Sequence, residues 1–210
     1  MKHIVKLREP QSFSDWKAMA NESWQPTYAD LRGQIKQSVK QALMDEQGYI
    51  CCYCERRLMD GDSHIEHFRP QNDPQADSLD YANLLCSCQA QIEKGDPRHC
   101  GNRKDDWFDE QLLISPLGSN CAVRFAYSGD GEIRPANLAD HSARETIERL
   151  GLGIPKVNAL RKKAIEPFLD DELSALEMRQ FVSGYLQKDA QGMFGEFWTS
   201  IHYLFKAYAA

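Results

Sequence analysis

The sequence predicts an α+β fold that is mostly helical, on three observations. Apolar residues recur every three or four positions over 27–47 and again through most of the chain after 138. Between these stretches lie short apolar or alternating runs of strand length, interrupted by Gly, Pro and Asp. Six of the seven cysteines, at 51, 52, 54, 86, 88 and 100, fall in that middle stretch, with Cys121 beyond them.

The elements follow in chain order. Trp16 and Trp24 are expected to dock the first 25 residues onto the body. Tyr28, Leu31, Ile35, Val39 and Leu43 set out an amphipathic helix over 27–47, with Pro26 before it and Gly48 after it as start and stop signals. The run Tyr49 to Cys54 and the segment His64-Ile65-Glu66-His67-Phe68 are predicted to pair as a hairpin across the turn Asp60-Gly61-Asp62. Residues 70–80 form a polar loop. Leu112-Leu113-Ile114 is a further apolar run, and Val123–Tyr127 forms a second hairpin with Glu132-Ile133 across Gly129-Asp130-Gly131. Four helices then follow: Ser142 to Leu150, Pro155 to Phe168, Leu173 to Leu186, and an aromatic-rich one from Gly192 to Tyr208. The expected division is an N-terminal helical segment (1–48), a central module (49–136) and a C-terminal helical bundle (137–210).

Composition excludes several classes. With 25 Lys+Arg against 31 Asp+Glu, the net charge of −6 argues against a protein that grips nucleic acid by bulk charge. No apolar run is long enough for a membrane span, and Met1 to Lys6 does not read as a secretion signal, so a cytoplasmic protein with no membrane partner is expected. An odd cysteine count without such a signal does not read as a disulfide framework.

The cysteines read better as a metal site. Cys51 and Cys54 have the two-residue gap that lets two thiolates reach one tetrahedral zinc from a tight turn. The second pair comes from Cys86, Cys88 and Cys100. Cys52, Cys86 and Cys121 individually read as small buried hydrophobes. Just after this knuckle, His64 and Glu66 point to one face of a strand and His67 to the other. Asn83-Leu84 follows, then Cys88, then Cys100-Gly101-Asn102-Arg103-Lys104.

This order resembles the HNH endonuclease family: a Cys-x-x-Cys knuckle, Glu66-His67-x-x-Pro70, Asn83-Leu84 and a further cysteine pair before a short helix. The resemblance covers about residues 50–105 and implies a ββα-metal core with a structural zinc. It implies zinc ligands Cys51, Cys54, Cys88 and Cys100, although the wide separation of the last two leaves Cys86 as an alternative. It implies His67 as general base, Asn83 as the group that fixes the base's tautomer, and Glu66 with Asn102 as ligands of a catalytic Mg²⁺ or Mn²⁺, with His99 as a competing ligand. The cation types sort by ligand hardness, thiolate for zinc and oxygen for the catalytic ion. Ile114-Ser115-Pro116, the Phe125–Ile133 hairpin and Leu150-x-Leu152 to Leu160-Arg161 extend the resemblance to a subfamily that includes PtuB, the nuclease subunit of Septu anti-phage systems, some of them retron-linked. That likeness implies an ATPase partner resembling PtuA, a nucleic acid substrate with DNA ahead of RNA, and a retron reverse transcriptase with its msDNA as a further partner.

Residues 50–110 carry seven Lys/Arg and thirteen Asp/Glu, a balance of −6, while the remainder balances at zero. The sequence therefore predicts weak intrinsic binding to DNA, the grip coming from a basic partner or from Arg161-Lys162-Lys163. Two other classes compete: a catalytically silent zinc module that recruits partners, and a thiol redox protein using Cys51-x-x-Cys54.

Overall fold

The computed structural model describes residues 1–169 and 172–209. Its elements are α1 (Gln11–Ala18), α2 (Gly33–Gln47), β1 (Ser63–His67), β2 (Leu84–Cys88), α3 (Gly101–Lys104), β3 (Phe125–Tyr127), β4 (Ile133–Pro135), α4 (His141–Arg149), α5 (Pro155–Ile165), α6 (Ala175–Leu186) and α7 (Trp198–Leu204). The result is α+β, with two separate two-stranded antiparallel sheets, β1–β2 and β3–β4.

α2 buries the predicted stripe, Val39 and Leu43 with Met44, and ends as predicted at Gly48, whose φ of 61° supplies the left-handed cap. It begins later than the periodicity suggests. Thr27 and Asp30 close a separate single turn, with the Thr27 amide donating to Asp30 Oδ2 at 2.9 Å, and the chain is extended at Leu31 before α2 starts.

The first hairpin differs from expectation. β1 pairs with β2, in the register Glu66↔Leu85 and Ser63↔Cys88. Residues 51–54 form a turn closed by the Ile50↔Arg57 bridge, and the Cys51 amide bonds the Arg56 carbonyl at 2.9 Å. The apolar character of Tyr49 to Cys54 reflects burial of the cysteines and Tyr53, not a strand face. The second hairpin forms as predicted. Its turn is docked on α5 so closely that a Cβ at Gly131 (φ 88°) would lie 2.2 Å from the Asn158 carbonyl oxygen.

The last helix is shorter than its aromatic run suggests. The amides of Phe194 and Phe197 donate to the carbonyls of Gly48 and Glu55, both at 2.9 Å, so this segment is tied to the knuckle instead of continuing a helix. α7 starts only at Trp198.

The larger core joins Phe13, Leu43, Leu84, Leu85, Phe125 and Leu150, and a smaller one joins α5, α6 and α7 through Ile165, Phe168, Val182 and Ile201. Arg161 ties the second hairpin to the loop before α5. It is 2 % exposed, and its guanidinium donates to the carbonyls of Gly131 and Leu152. It is therefore a structural residue rather than the phosphate grip expected from the sequence; only Lys162 and Lys163 of that stretch are exposed. Arg161→Ala is expected to lower stability by roughly 3 kcal/mol, since it leaves buried carbonyls unpaired beside a cavity, and urea unfolding followed by circular dichroism measures it.

Candidate metal centre and active site

Four sulfurs meet under the knuckle. The Sγ atoms of Cys51, Cys54, Cys88 and Cys100 all lie within 4.8 Å of one another, and all four residues are buried. Cys54 and Cys88 are 3.7 Å apart at sulfur. A tetrahedral zinc with Zn–S bonds of about 2.3 Å requires sulfurs about 3.8 Å apart, so the cluster can hold a metal such as zinc. The electrostatics point the same way. Burial and the neighbouring Cys51, Cys54 and Cys88 push the Cys100 thiol well up. Burial also opposes ionisation of Cys51, but hydrogen bonds from Cys100, Cys52, Cys54 and Cys88 outweigh it and carry that thiol well down. Thiols this crowded cannot all ionise without a cation among them.

Local geometry explains the convergence. Cys51 and Cys54 come from the turn, Cys88 from the last position of β2, and Cys100 from a residue at φ 55° immediately before α3. Cys86 sits two residues back along β2. Cys52 adjoins Cys51 without being one of the four, and Cys121 stands elsewhere, its thiol donating to the Met1 carbonyl at 3.4 Å. All seven cysteines are free and buried. His99 belongs to this cluster. It is fully buried, its Nδ1 lies 3.1 Å from Cys100 Sγ and 3.8 Å from Cys88 Sγ, and its Nε2 has no partner among the described residues. This placement sets its Nδ1 within hydrogen-bonding reach of the Cys88 and Cys100 sulfurs.

One residue past Cys100 the second centre begins. Gly101 opens α3 against Glu66, close enough that a Cβ there would lie 2.3 Å from Glu66 Oε2 and 2.8 Å from His64 Nε2. The two side chains share a face of β1, with His64 Nε2 3.6 Å from Glu66 Oε2. The other carboxylate oxygen is held from behind: Lys104 Nζ lies 3.1 Å from Oε1 and the Tyr53 hydroxyl donates to it at 3.0 Å. Burial alone would raise the Glu66 carboxyl, but His64 and Lys104 outweigh it and keep Glu66 below the usual carboxylate range. Glu66 is thus a buried anion with one oxygen pinned and the other facing His64.

His67 follows Glu66 as the last residue of β1, and the charges of Glu66 and Lys104 both act on its ring. Its Nε2 is 2.9 Å from the Ser78 carbonyl oxygen, and its ring meets Tyr28 edge-on at 4.4 Å between centroids. A carbonyl can only accept, so Nε2 carries the proton and Nδ1 carries the lone pair. Burial pushes the imidazole pKa down, so the ring is neutral near pH 7.

No family model matches the chain. Over 144 residues, 65 % of this chain, it is 32 % identical to the protein named "Retron Vc95 putative HNH endonuclease" of Vibrio cholerae serotype O1 biovar El Tor, of which the match covers 67 %. The chain belongs to the HNH endonuclease family. It is also 31 % identical, over 104 residues and 46 % of its length, to "Retron Ec83 putative HNH endonuclease" of Escherichia coli, of which it spans 40 %.

Two HNH-motif residues sit differently from expectation. The Asn83 amide accepts from the Arg69 amide at 2.8 Å and donates to the Arg69 carbonyl at 2.9 Å. It therefore staples the turn after β1 and leaves the His67 tautomer to Ser78. The Asn102 side chain donates to the Gln89 carbonyl, at the end of β2, because its place in α3 is one step round from the face that meets Glu66. Sequence reasoning passed over His64, Lys104 and Tyr53 as partners of Glu66. The His64-x-Glu66 alternation carried the signal for His64.

The contact at Gly101 gives a sharp expectation. Gly101→Ala would displace Glu66 and His64 by about 1 Å while leaving the thiolates in place. A misplacement of that size costs on the order of 100-fold in rate, so cleavage should fall by about that factor with zinc content unchanged by elemental analysis.

Proposed function

We propose that this chain is a divalent-metal-dependent endonuclease of the ββα-metal kind, β1, β2 and α3 being its core, that hydrolyses phosphodiester bonds of nucleic acid, DNA ahead of RNA. The observation that carries the reading is the Glu66–His64 pair set against the head of α3, one residue from the thiolate cluster. Zinc on Cys51, Cys54, Cys88 and Cys100 would fix α3 against the β1–β2 hairpin and so fix Gly101 against Glu66. The free Glu66 oxygen and His64 Nε2 offer two ligands, and the remaining positions of a Mg²⁺ or Mn²⁺ ion suit water and phosphate oxygens. When bound, that ion would offset charge on the scissile phosphate and the leaving 3′ oxygen.

The chain's own residues supply the rest. His67 Nδ1 takes the proton of the attacking water, with Ser78 holding the ring in the tautomer that leaves this nitrogen basic. Lys104 and Tyr53 keep Glu66 ionised and oriented. Asn83 acts on His67 only through the turn it staples. Asn102 stays in the scheme as a support of the β2–α3 loop.

The assembly belongs to the same proposal. Both relatives are named as retron proteins, which supports an effector role in an anti-phage defence complex. Such a complex would contain an ATPase resembling PtuA and a reverse transcriptase with its msDNA. Residues 49–136 would be the catalytic module between helical flanks. The test is nicking of supercoiled plasmid and cleavage of a structured RNA with Mg²⁺, Mn²⁺ or neither, by the chain alone and with its neighbouring ATPase. Metal-dependent nicking of the plasmid is expected. Cleavage of RNA alone would move the substrate assignment, and cleavage of neither would defeat the proposal.

A further inference from the structure

The nuclease reading leaves the substrate's grip unexplained. The segment 50–110 that holds both centres has a balance of −6, and phosphate affinity comes largely from Lys and Arg. The stretch 161–163 is a weak candidate, because Arg161 is committed to buried carbonyls. Nearby Lys156 is paired with Asp96 at 2.7 Å.

A different basic feature adjoins His64. A cleft of about 640 Å³ runs between α2 and β1, and its walls include Tyr28, Lys36, Gln37, Lys40, Ser63 and His64. β1 pairs only with β2, so among the described residues no strand covers its edge on the other side. Lys36 and Lys40 stand one helical turn apart, about 6 Å along the axis. Lys36 is exposed and forms no ion pair among the described residues; its ammonium lies 5.3 Å from the centre of the Tyr28 ring. Lys40, whose side chain is 16 % exposed, donates to the Asp60 carbonyl and is paired with Asp60 Oδ1 at 2.9 Å; the Asp60 side chain is 89 % exposed, so a phosphate can compete with that carboxylate for the ammonium. The acids at the end of α2 do not line the cleft: the Glu46 side chain is fully buried and paired with Lys6, and the exposed Asp45 accepts from Gln41 and Tyr49. The half of the helix that faces the cleft is therefore positive. His64 stands in the same cleft, its side chain 29 % exposed, with Glu66 behind it.

We propose that this cleft is the phosphate track of the enzyme. Lys36 and Lys40 bind backbone phosphates next to the bond presented to His64 and Glu66, and α2 supplies the positive charge that the acidic central module lacks. The assignment rests on the nuclease reading for the identity of its ligand. It concerns a phosphodiester backbone, which DNA and RNA share.

The test is fluorescence anisotropy with the full chain, zinc in place and no added Mg²⁺ or Mn²⁺. Labelled duplex DNA, single-stranded DNA and RNA are titrated between about 50 and 200 mM salt. Wild type is compared with Lys36→Gln/Lys40→Gln and, as the competing basic stretch with the same charge loss, Lys162→Gln/Lys163→Gln. The α2 variant should bind roughly tenfold more weakly and lose about two from the log–log salt slope, without regard to base sequence. The 162/163 variant should stay within about twofold of wild type. Lys36→Gln alone, at an exposed position without an ion pair, should show part of the loss with an unchanged melting curve, and Lys36→Arg should restore it. The nucleic acid that loses most affinity identifies the substrate type. The track is overturned if the α2 variant binds like wild type, if the 162/163 variant loses as much, or if wild type binds none of the three probes. Cleavage by the same preparations separates the two claims. Lysine-dependent binding without cleavage by wild type keeps the track and removes the nuclease reading; cleavage untouched by the α2 variant does the reverse.

Discussion

In the zinc-loaded protein, Cys54→Ser is expected to release the ion and to cost more than about 4 kcal/mol of stability, enough to unfold the knuckle, the β1–β2 hairpin and α3 together. The four cysteines come from three parts of the chain, so an ion held among them would join those parts. Serine cannot serve as a thiolate, and three sulfurs remain to carry negative charge in a dry pocket. The loss should spread, because the knuckle also receives the segment before α7: the Phe197 amide bonds the Glu55 carbonyl, and the Arg57 guanidinium bonds the Phe194 carbonyl at 2.6 Å. Elemental analysis and thermal melting read the two effects. Cys52→Ser provides the contrast. It removes a buried thiol outside the cluster, so it should keep the zinc and cost only about 1 kcal/mol.

His67→Ala has the second large effect, in the opposite currency. Cleavage should fall by roughly 10²- to 10⁴-fold, the usual contribution of a positioned general base. Stability should change by about 1 kcal/mol, since the ring contributes one hydrogen bond and an edge contact to Tyr28. The pH profile adds a sign. Burial lowers the His67 pKa, so the wild-type rate should hold as pH falls until it passes below the ordinary imidazole value of about 6.5, and only then be lost. That acid limb should be missing from the residual activity of the variant. An unchanged rate in the variant would move the base to His64.

Much of this architecture was legible in the sequence because its signals are local. Val39 and Leu43 repeat at helical spacing, Gly48 ends α2, and Cys51-x-x-Cys54 with Glu66-His67-x-x-Pro70 announces a thiolate knuckle beside an acid and an imidazole. What escaped depends on partners distant in sequence. β2, Leu84-Leu85-Cys86-Ser87-Cys88, is buried at every position, so it shows no alternation and its pairing with β1 left no periodic trace. Lys104 is 2 % exposed, a rare state for lysine that becomes understandable only once Glu66 is placed against it. Lys36 and Lys40 belong to no motif, and only the placement of β1 across the cleft sets them beside His64. Asn83 and Asn102 were given roles by motif order, but the hydrogen bonds of their amides assign them to backbone at Arg69 and Gln89.

The central claim is that a thiolate-held frame presents Glu66 for phosphodiester cleavage. Nicking of supercoiled plasmid with Mn²⁺ tests it most directly, comparing zinc-loaded wild type with zinc-loaded Glu66→Gln, each with and without the ATPase proposed above. The account predicts nicking by wild type and a loss of at least about 100-fold in the variant, with one zinc per chain in both. No nicking by zinc-loaded wild type under any of these conditions, or equal nicking by the variant, would contradict it.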